Sequence, residues 1–227
     1  MIILTGVSGG IGSKIIKTLS NTDNIVGIYN KNKPKIKNDI KNIKLYKMDI
    51  TNVFQIKKFI KKFLLNEKKI SIIHLASLKT DSLLIKQDMR DVRNIFEVNI
   101  LAPFSFSKYL IPLMIKNNWG RIIFFSSTGG EKGDKGISAY SSSKLAVLGL
   151  SRVISKEYGN FNITSNIIKL GNFDTGMFKK LNQKKQNELI DLIPSKKLGS
   201  FKDIVSTIKL IIKSGYINGA EINIDGG

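Results

Sequence analysis

Tyr140 and Lys144 are the side chains of this sequence whose types and spacing best fit the transfer of a proton. They stand four residues apart in the run Tyr-Ser-Ser-Ser-Lys, within a segment of helical periodicity, so they share one helix face. An ammonium group beside a phenol stabilises the phenolate, and we therefore expect the pKa of Tyr140 to fall from about 10 toward working pH. Such a tyrosine can act as the general acid that protonates a carbonyl oxygen during hydride delivery. The pair alone is commonplace, and without further signals a structural interpretation of it is the stronger one.

A glycine-rich loop near the N-terminus is the second chemical signal. Residues 5–12 read T-G-x-x-x-G-x-G, with Gly6, Gly10 and Gly12, between an apolar run at residues 2–4 and a helical pattern that begins near Ile15. Glycine lets a phosphate approach backbone N–H groups, and the N-terminus of a helix attracts negative charge. In this strand–turn–helix context the loop predicts a site for a dinucleotide pyrophosphate. A tight turn without a ligand is the alternative.

Apolar runs that alternate with helical patterns must position these residues. The runs that predict strands are residues 2–4, 24–29, 43–48, 70–75, 121–125, 163–168 and 221–224. The helical patterns cover residues 52–66, 81–118, 138–158 and 201–213, whereas residues 30–42 predict a loop or a poor helix. This alternation predicts an α/β fold: one doubly wound domain over residues 1–227, with a parallel sheet of about seven strands and helices on both faces.

The net charge of +20 invites comparison with proteins that bind nucleic acid or membrane surfaces. Of the 37 basic residues, however, 33 are Lys and 4 are Arg, whereas specific recognition of phosphates and bases depends on the arginine fork. We therefore expect most lysines to be solvated, and we expect no specific nucleic-acid partner. The lysine-rich helix at residues 52–66 is interpreted as a crossover helix packed on the sheet rather than as a membrane-surface helix.

Composition excludes several other classes of protein. A hydrophobic fraction of 42% supports a folded core, which argues against disorder. No apolar run approaches the roughly 20 residues that cross a bilayer, and we expect neither a membrane span nor a secretory leader. The lack of cysteine excludes a disulfide scaffold and a thiolate metal site, so no metal is expected, and it fits a cytoplasmic location.

Taken together, the two motifs and the order of the elements resemble the short-chain dehydrogenase/reductase family, and in general layout its 3-oxoacyl-acyl-carrier-protein reductases. The match extends from the first predicted strand to the last. Further matching positions are Asp49, Asn99, Ser127 (13 residues before Tyr140), Asn166, residues 170–175 and residues 216–227. The resemblance implies a single-domain Rossmann fold and an oxidoreductase that transfers hydride between a nicotinamide cofactor and a carbonyl or secondary alcohol.

The resemblance also implies a catalytic set of four residues. Tyr140 would exchange the substrate's proton. Lys144 would lower the pKa of Tyr140 and hydrogen-bond the nicotinamide ribose, and Ser127 would polarise the carbonyl. Asn99 would hold a water that links Lys144 to solvent. The spacing to Tyr140 favours Ser127 over Ser126. The implied cofactor contacts are Gly6, Ser8, Gly10, Ile11, Gly12, Asn30, Lys31, Asp49, Ile50, Ala76, Tyr140, Lys144, Gly171, Phe173 and Thr175.

Two segments depart from the family pattern. His74-Leu75-Ala76-Ser77 stands where the family has Asn-Asn-Ala-Gly, so the hydrogen bonds of the first Asn must be made differently. His74, the single histidine, is interpreted as structural rather than as a catalytic base. Leu170-Gly171 replaces Pro-Gly, a change that we expect to loosen the loop at the nicotinamide end. Both departures put the affinity for the cofactor in question.

The choice between the two nicotinamide cofactors depends on the end of the second strand. An acidic residue there accepts hydrogen bonds from the 2′-OH of NAD and repels a 2′-phosphate. Residues 29–31 are Tyr-Asn-Lys, and no acid occurs before Asp39, whereas Lys31 or Lys33 could pair with a phosphate. NADP(H) is therefore favoured, with NAD(H) as the alternative.

Residues 176–197 are expected to form a lid over the substrate. Its apolar positions are Met177, Phe178, Leu181, Leu189, Ile190 and Leu192, and its lysines are Lys179, Lys180, Lys184 and Lys185. An apolar lid with a basic rim fits a small-molecule or carrier-bound carbonyl such as a 3-oxoacyl thioester, and it fits a sugar or nucleotide-sugar of surface-polysaccharide synthesis equally well. A lid whose lysines contact only water, and a non-catalytic cofactor-sensing relative, are further alternatives.

The two helices at 99–118 and 138–158 are apolar on more than one side, which favours a homo-oligomer, a dimer or a tetramer.

Overall fold

A seven-stranded sheet whose strands all run parallel forms the centre of the protein in a computed structural model, which describes residues 1–20, 23–36, 41–179 and 181–227. The strands are β1 (Ile2–Thr5), β2 (Ile25–Tyr29), β3 (Ile43–Lys47), β4 (Ser71–His74), β5 (Gly120–Ser127), β6 (Ile163–Leu170) and β7 (Glu221–Ile224). Their order across the sheet is β3-β2-β1-β4-β5-β6-β7. This is the doubly wound order of a Rossmann fold, so the predicted fold class is confirmed.

Helices connect the strands and cover both faces of the sheet. In the described ranges they are α1 (Gly12–Leu19), α2 (Val53–Phe63), α3 (Met89–Phe96), α4 (Ala102–Lys116), α5 (Thr128–Lys132), α6 (Ser138–Tyr158), α7 (Gly176–Lys179), α8 (Gln183–Asp191) and α9 (Phe201–Lys213). A π turn at Glu97–Leu101 joins α3 to α4, and two short 3₁₀ turns lie at Leu84–Lys86 and Gly159–Phe161.

Two apolar cores hold the three layers together. On one face, α2, α4 and α6 bury Phe59, Phe106 and Val147 against the sheet. On the other face, α1 and α9 bury Ile16 and Ile208. Because both faces are covered, the central strands read as continuous Ile- and Val-rich runs, as parallel strands do.

The predicted helices and strands agree with the structure except around residues 78–101 and after β5. The helices at 138–158 and 201–213 and the last strand have the predicted bounds. The continuous pattern at 81–118 is divided instead: a 3₁₀ turn at Leu84–Lys86 precedes α3, which begins after its N-cap Asp88, and the π turn separates α3 from α4. Helix α5 was not expected, because Thr-Gly-Gly-Glu-Lys has poor helix propensity. Residues 30–36 contain no helix, and residues 37–40 lie outside the described ranges.

The helical run Met89–Lys116 is long and apolar enough to cross a membrane by length and composition alone. Its apolar residues have another explanation, since Phe106, Leu110 and Met114 are completely buried in the core beside the sheet. Packing in the domain therefore accounts for the composition of this helix.

Candidate active site

The predicted site residues meet at the carboxyl ends of the central strands. Strand order reverses between β1 and β4, so the loops after these two strands diverge and leave a crevice. The glycine loop follows β1, Ala76 follows β4, Ser127 ends β5 and Gly171 follows β6. Helix α6 brings Tyr140 and Lys144 to the same edge, beside β5 and β6.

Steric crowding explains two glycines of the loop between β1 and α1, Gly6 and Gly12. Gly6 has a φ of +73°, and a Cβ there would lie 2.6 Å from the Cα of Ala76. A Cβ at Gly12 would clash with the carbonyl oxygen of Gly6. Helix α1 begins after Ile11 with no side-chain cap and no acid in its first turn, so its positive end can bind an anion. Ser8 and Gly10 are exposed beside it. The residues present therefore fit a dinucleotide pyrophosphate.

Thr5 is a residue of this site that the sequence interpretation did not single out. Its side chain is 1% exposed, and its Oγ1 accepts hydrogen bonds from the backbone N–H groups of Leu75 and Ala76, at 3.1 Å each. The same hydroxyl donates to the carbonyl of Ile73 at 3.4 Å. The threonine at the end of β1 thus joins the glycine loop to the segment after β4, where the family's first Asn is missing. A buried threonine directly before the first glycine was the available signal.

His74 is the last residue of β4, and its ring is packed among apolar side chains. It stacks on Phe124 with ring centroids 5.0 Å apart, and burial lowers its pKa to about 3. Its Nε2 has no hydrogen-bond partner within the described part of the chain. A neutral imidazole of such low basicity cannot serve as a base at neutral pH, which supports the structural interpretation of His74.

Ser126 and Ser127, adjacent in the chain, point to different partners. Ser126 is buried and donates a hydrogen bond to the carbonyl of Lys144. Ser127 is half-buried, accepts a hydrogen bond from Gly130 N–H at 3.3 Å as the N-cap of α5, and lies close enough to Tyr140 to lower the pKa of that phenol. Of the two serines, it is therefore Ser127 that can share a substrate oxygen with Tyr140.

Burial dominates the electrostatics of Tyr140 and Lys144. Burial raises the pKa of Tyr140, and the hydrogen bond with Ser127 offsets part of that rise. Burial lowers the pKa of Lys144 to about 8, and its Nζ donates to the carbonyl of Phe125 at 2.8 Å. The prediction that Lys144 lowers the pKa of Tyr140 is wrong for this structure, because loss of solvent outweighs the neighbouring ammonium, whose Nζ lies 5.6 Å from the centroid of the tyrosine ring.

Asn99 occupies the π turn between α3 and α4, a distortion that often marks functional sites. Its Oδ1 accepts from Leu78 N–H at 2.8 Å, and its Nδ2 donates to the carbonyl of Leu78 and to Ser143 Oγ, both at 2.9 Å. Ser143 precedes Lys144 in the chain. Asn99 therefore ties the segment after β4 to the turn of α6 that carries Lys144, and the holding of a water for Lys144 stays a prediction.

The residues predicted for the adenosine end follow β2 and β3. Asp49 uses Oδ1 to accept hydrogen bonds from the N–H and hydroxyl of Thr51, and Ile50 is buried beside it. Asn30 and Lys31 are exposed after β2. Asp39 lies outside the described residues. The described stretch 30–36 thus presents lysine and no acid where the ribose is expected.

The loop after β6 is anchored rather than loosened. Leu170 is buried and pairs in register with Ser127 and with Ile224, and Gly171 N–H donates to the carbonyl of Ile224 at 3.0 Å. A Cβ at Gly171 would lie 2.7 Å from the Cα of Asp225. The expectation that Leu170 loosens the loop is therefore corrected.

The last predicted cofactor contacts follow in this loop. The side chain of Phe173 is buried and packs on Phe201, at 5.9 Å between ring centroids, so its backbone rather than its ring remains for a cofactor. Thr175 is buried two residues further on, and its N–H donates to the carbonyl of Phe173.

The predicted lid consists of α7 and α8. Phe178 is buried, whereas Leu192 is 79% exposed and so lies outside the expected apolar face. Lys179 pairs with Asp174 at 3.2 Å, which reduces the basic rim, while Lys184 and Lys185 are exposed. The side chain of Met177 and Lys180 lie outside the described residues.

A groove of about 430 Å³ adjoins the N-terminal turn of α6, close to Tyr140. Its lining consists of Leu83, Leu84, Gly133, Asp134, Lys135, Gly136, Ser138, Ser141 and Ser142. Such a groove can take the apolar part of a substrate whose reacting carbonyl reaches Tyr140. Across residues 1–20, 23–36, 41–179 and 181–227, no group of three or more His, Asp or Glu side chains is placed to hold a metal ion.

The model of the short chain dehydrogenase family matches residues 1–186. The chain belongs to the short-chain dehydrogenase family. This dehydrogenase is accordingly an oxidoreductase that acts on CH–OH donors with NAD(P) as acceptor. It is 34% identical to 3-oxoacyl-[acyl-carrier-protein] reductase FabG of Buchnera aphidicola subsp. Baizongia pistaciae (strain Bp), over 99% of this chain and 95% of that protein.

Solved structures of other proteins share the fold of this dehydrogenase. ElxO with NADP bound superposes with a TM-score of 0.89 at 24% identity, covering 100% of this chain and 97% of ElxO. A 4-hydroxyisoleucine dehydrogenase mutant complexed with NADH and succinate superposes with a TM-score of 0.88 at 25% identity, covering 100% and 98%. The two structures hold different nicotinamide cofactors, so the fold alone does not select one.

Proposed function

We propose that the enzyme uses NADPH to reduce the carbonyl of a 3-oxoacyl thioester, presented as a small molecule or on a carrier. The observation that carries the proposal is the closeness of Ser127 to Tyr140, together with a groove lined by Leu83 and Leu84 that adjoins the turn of α6 on which Tyr140 lies. The two hydroxyl groups can bind a carbonyl oxygen while Leu83 and Leu84 of the groove contact an acyl chain. The similarity to a 3-oxoacyl-[acyl-carrier-protein] reductase over nearly the full chain supports this substrate class.

The proposed catalytic residues are Tyr140, Ser127, Lys144 and Asn99. NADPH, when bound, supplies the hydride that reaches the carbonyl carbon, and the carbonyl oxygen takes up the electron pair. Tyr140 gives its phenolic proton to that oxygen, and Ser127 donates a hydrogen bond to it. The raised pKa keeps Tyr140 protonated at neutral pH, which is the form that reduction requires. Lys144, with a pKa of about 8, is still mostly charged at neutral pH and supports the developing phenolate.

The proposed cofactor site runs from the glycine loop to the loop after β6. Gly6, Gly10, Gly12 and the N-terminus of α1 would take the pyrophosphate, whereas Asp49, Ile50 and Ala76 would line the adenosine side. Exposed Lys31, with Lys33 close to it in the chain, supports a preference for the 2′-phosphate of NADP(H). Calorimetric titration with NADPH and NADH tests the preference, and charge reversal by Lys31→Glu with Lys33→Glu should weaken NADPH binding while sparing NADH.

Replacement of Tyr140 by Phe tests the proposed reaction. Tyr140→Phe removes the phenolic proton, so we expect turnover of the acetoacetyl thioester of N-acetylcysteamine with NADPH to fall by roughly three orders of magnitude or more. NADPH binding should be retained. Tyr216→Phe, at a side chain 99% exposed, is the matched control.

The other outcomes identify the alternatives. Retained turnover in Tyr140→Phe would contradict the role assigned to this residue. A wild-type enzyme that ignores the thioester but oxidises or reduces a sugar or nucleotide-sugar would point to that substrate class instead. Cofactor binding without turnover of any carbonyl or alcohol would indicate a cofactor-sensing relative.

The enzyme is further proposed to be a single cooperative domain that assembles as a dimer or tetramer. Four large apolar side chains are about half exposed in the isolated chain. They are Leu101 just before α4, Phe104 on α4, and Leu145 and Val153 on α6. Light scattering of the wild type should give a multiple of the 25.4 kDa chain mass, and Leu145→Lys should reduce it. A monomeric wild type would refute the assembly. A cytoplasmic location stays a prediction.

A further inference from the structure

Four charged side chains from four different elements meet at the edge of the site. Lys169 on β6 contacts Glu131 of α5 at 2.9 Å and Glu221 of β7 at 3.0 Å. Glu221 also pairs with Arg152 of α6. Lys169 is 8% exposed, although lysine is among the residues least often buried. The two carboxylates compensate for the loss of water around its ammonium group.

The ionisation of the cluster is mutually supported. The hydrogen bond with Glu131 is the main cause of a raised pKa at Lys169, with Glu221 adding to it against burial. Burial by itself would raise the pKa of Glu221, but Lys169 and Arg152 together hold it below its ordinary value. The pKa shifts of Lys169 and Glu221 thus both favour their charged forms, and removal of the central ammonium leaves the carboxylate of Glu221 beside that of Glu131 without the cation between them.

Helix α5 connects this cluster to the reacting groups. It has five residues, too few to be stable as an isolated helix, so its position depends on its contacts. At its start Ser127 caps Gly130, and the carbonyl of Gly130 accepts a hydrogen bond from Ser141 of α6. On its other side Glu131 is held by Lys169.

We propose that Lys169 is a positioning residue, which through Glu131 holds α5, and with it the Ser127 hydroxyl, against Tyr140. The proposal rests on the function proposed above for Ser127 and Tyr140. It adds a requirement that the family motifs do not contain: a buried cation on β6, in register with Ser126 and one residue before the end of that strand. In this arrangement Lys169 contacts Glu131 and Glu221, and its proposed effect is on the geometry of the hydroxyl pair.

Hydrogen exchange tests the structural step without any substrate. Lys169→Met should speed exchange of the Gly130 and Gly133 amides, which bond to Ser127 Oγ and to the Gly129 carbonyl. Lys169→Arg, which keeps the charge and the donors, should leave them protected. Lys61→Met removes an exposed lysine on α2 and serves as control. Because Lys169→Met could fail to fold, Lys169→Met combined with Glu221→Gln relieves the facing carboxylates and provides the second variant.

Kinetics with the acetoacetyl thioester and NADPH test the positioning step. We expect kcat of Lys169→Met to fall on the order of tenfold, with KM and the affinity for NADPH nearly unchanged, since a small misplacement of a reacting group lowers kcat first. The alkaline limb of the pH profile, where Tyr140 loses its proton, should move to higher pH, because Ser127 no longer lowers that pKa as fully. Lys144, the charged group beside Tyr140, is unchanged in this variant. In a Glu131→Gln background the effect of Lys169→Met should largely disappear.

The possible outcomes separate the two proposals. Unchanged amide exchange in Lys169→Met, or exchange equally fast in Lys169→Arg, would overturn the positioning role. That role is overturned as well if exchange quickens but kcat and the pH profile stay at wild-type values while Ser127→Ala is inactive. If Ser127→Ala and Tyr140→Phe both keep full turnover, the function proposed for the pair fails instead, and the exchange data still decide whether Lys169 holds α5.

Discussion

Replacement of Thr5 by Val isolates one hydroxyl on which the geometry of the crevice depends. Thr5 Oγ1 is the acceptor for the N–H groups of Leu75 and Ala76. Valine has nearly the same shape and the same preference for a strand, so no cavity forms and β1 stays intact. The substitution therefore leaves two backbone donors without their partner.

The cost follows from these two bonds. A buried donor deprived of its acceptor costs about 1–3 kcal/mol, and the half-buried setting of Leu75 and Ala76 places each near the lower end. We expect a total loss of about 2–4 kcal/mol in the free energy of unfolding. For a chain of this size that corresponds to a fall in Tm of roughly 5–15 °C. The segment that carries Ala76 should also bind NADPH more weakly.

Three variants distinguish the hydroxyl from general packing. Thr18→Val makes the same chemical change at an exposed position of α1 and should alter stability by less than about 0.5 kcal/mol. Thr5→Ser keeps the acceptor and removes a methyl group, for about 1 kcal/mol. Urea unfolding gives the free energies, and hydrogen exchange at Leu75 and Ala76 reports the two bonds directly. If Thr5→Val is as stable as Thr18→Val, or if both amides stay protected, the assignment of this role to the hydroxyl is refuted.

Two further substitutions test the geometry around the crevice. Gly6→Ala places a Cβ 2.6 Å from the Cα of Ala76 at a φ of +73°, so we expect marked thermal destabilisation and loss of NADPH binding. The matched change Gly9→Ala, whose nearest neighbour would be the carbonyl oxygen of Gly6 at 3.2 Å, should be much milder, and equal effects would contradict this account of the loop. His74→Phe keeps the stacked ring and removes an unpaired nitrogen, so activity should be unchanged. Because the folded state holds His74 neutral down to a pKa of about 3, wild-type stability is lost as pH falls below about 6.5, by about 2 kcal/mol near pH 5. Urea unfolding of His74→Phe should show a correspondingly weaker decline, and an identical decline would exclude His74 as its source.

The sequence alone was sufficient for the fold and for the family. Alternation of apolar strands and amphipathic helices is a local property, and it predicted the parallel sheet and the bounds of α6 and α9. The spacing from Ser127 to Tyr140 and the glycine loop are also local patterns, readable without coordinates. Where local propensity was weak, as in α5 and around the π turn at Asn99, the prediction failed, because tertiary contacts rather than propensity form these turns.

The tertiary structure decided what depends on burial and on residues far apart in the chain. Thr5 meets Leu75 some 70 positions away, and Lys169 meets Glu131 and Glu221 from two other elements, contacts that no periodicity encodes. The direction in which the pKa of Tyr140 shifts is likewise decided by the tertiary structure. The sequence shows a cation four residues away and predicts a fall, whereas the fold removes water from the phenol and raises it. Chain order specifies which groups are neighbours along the sequence. The loss of solvent that shifts their pKa values exists only once the layers of the fold have packed around them.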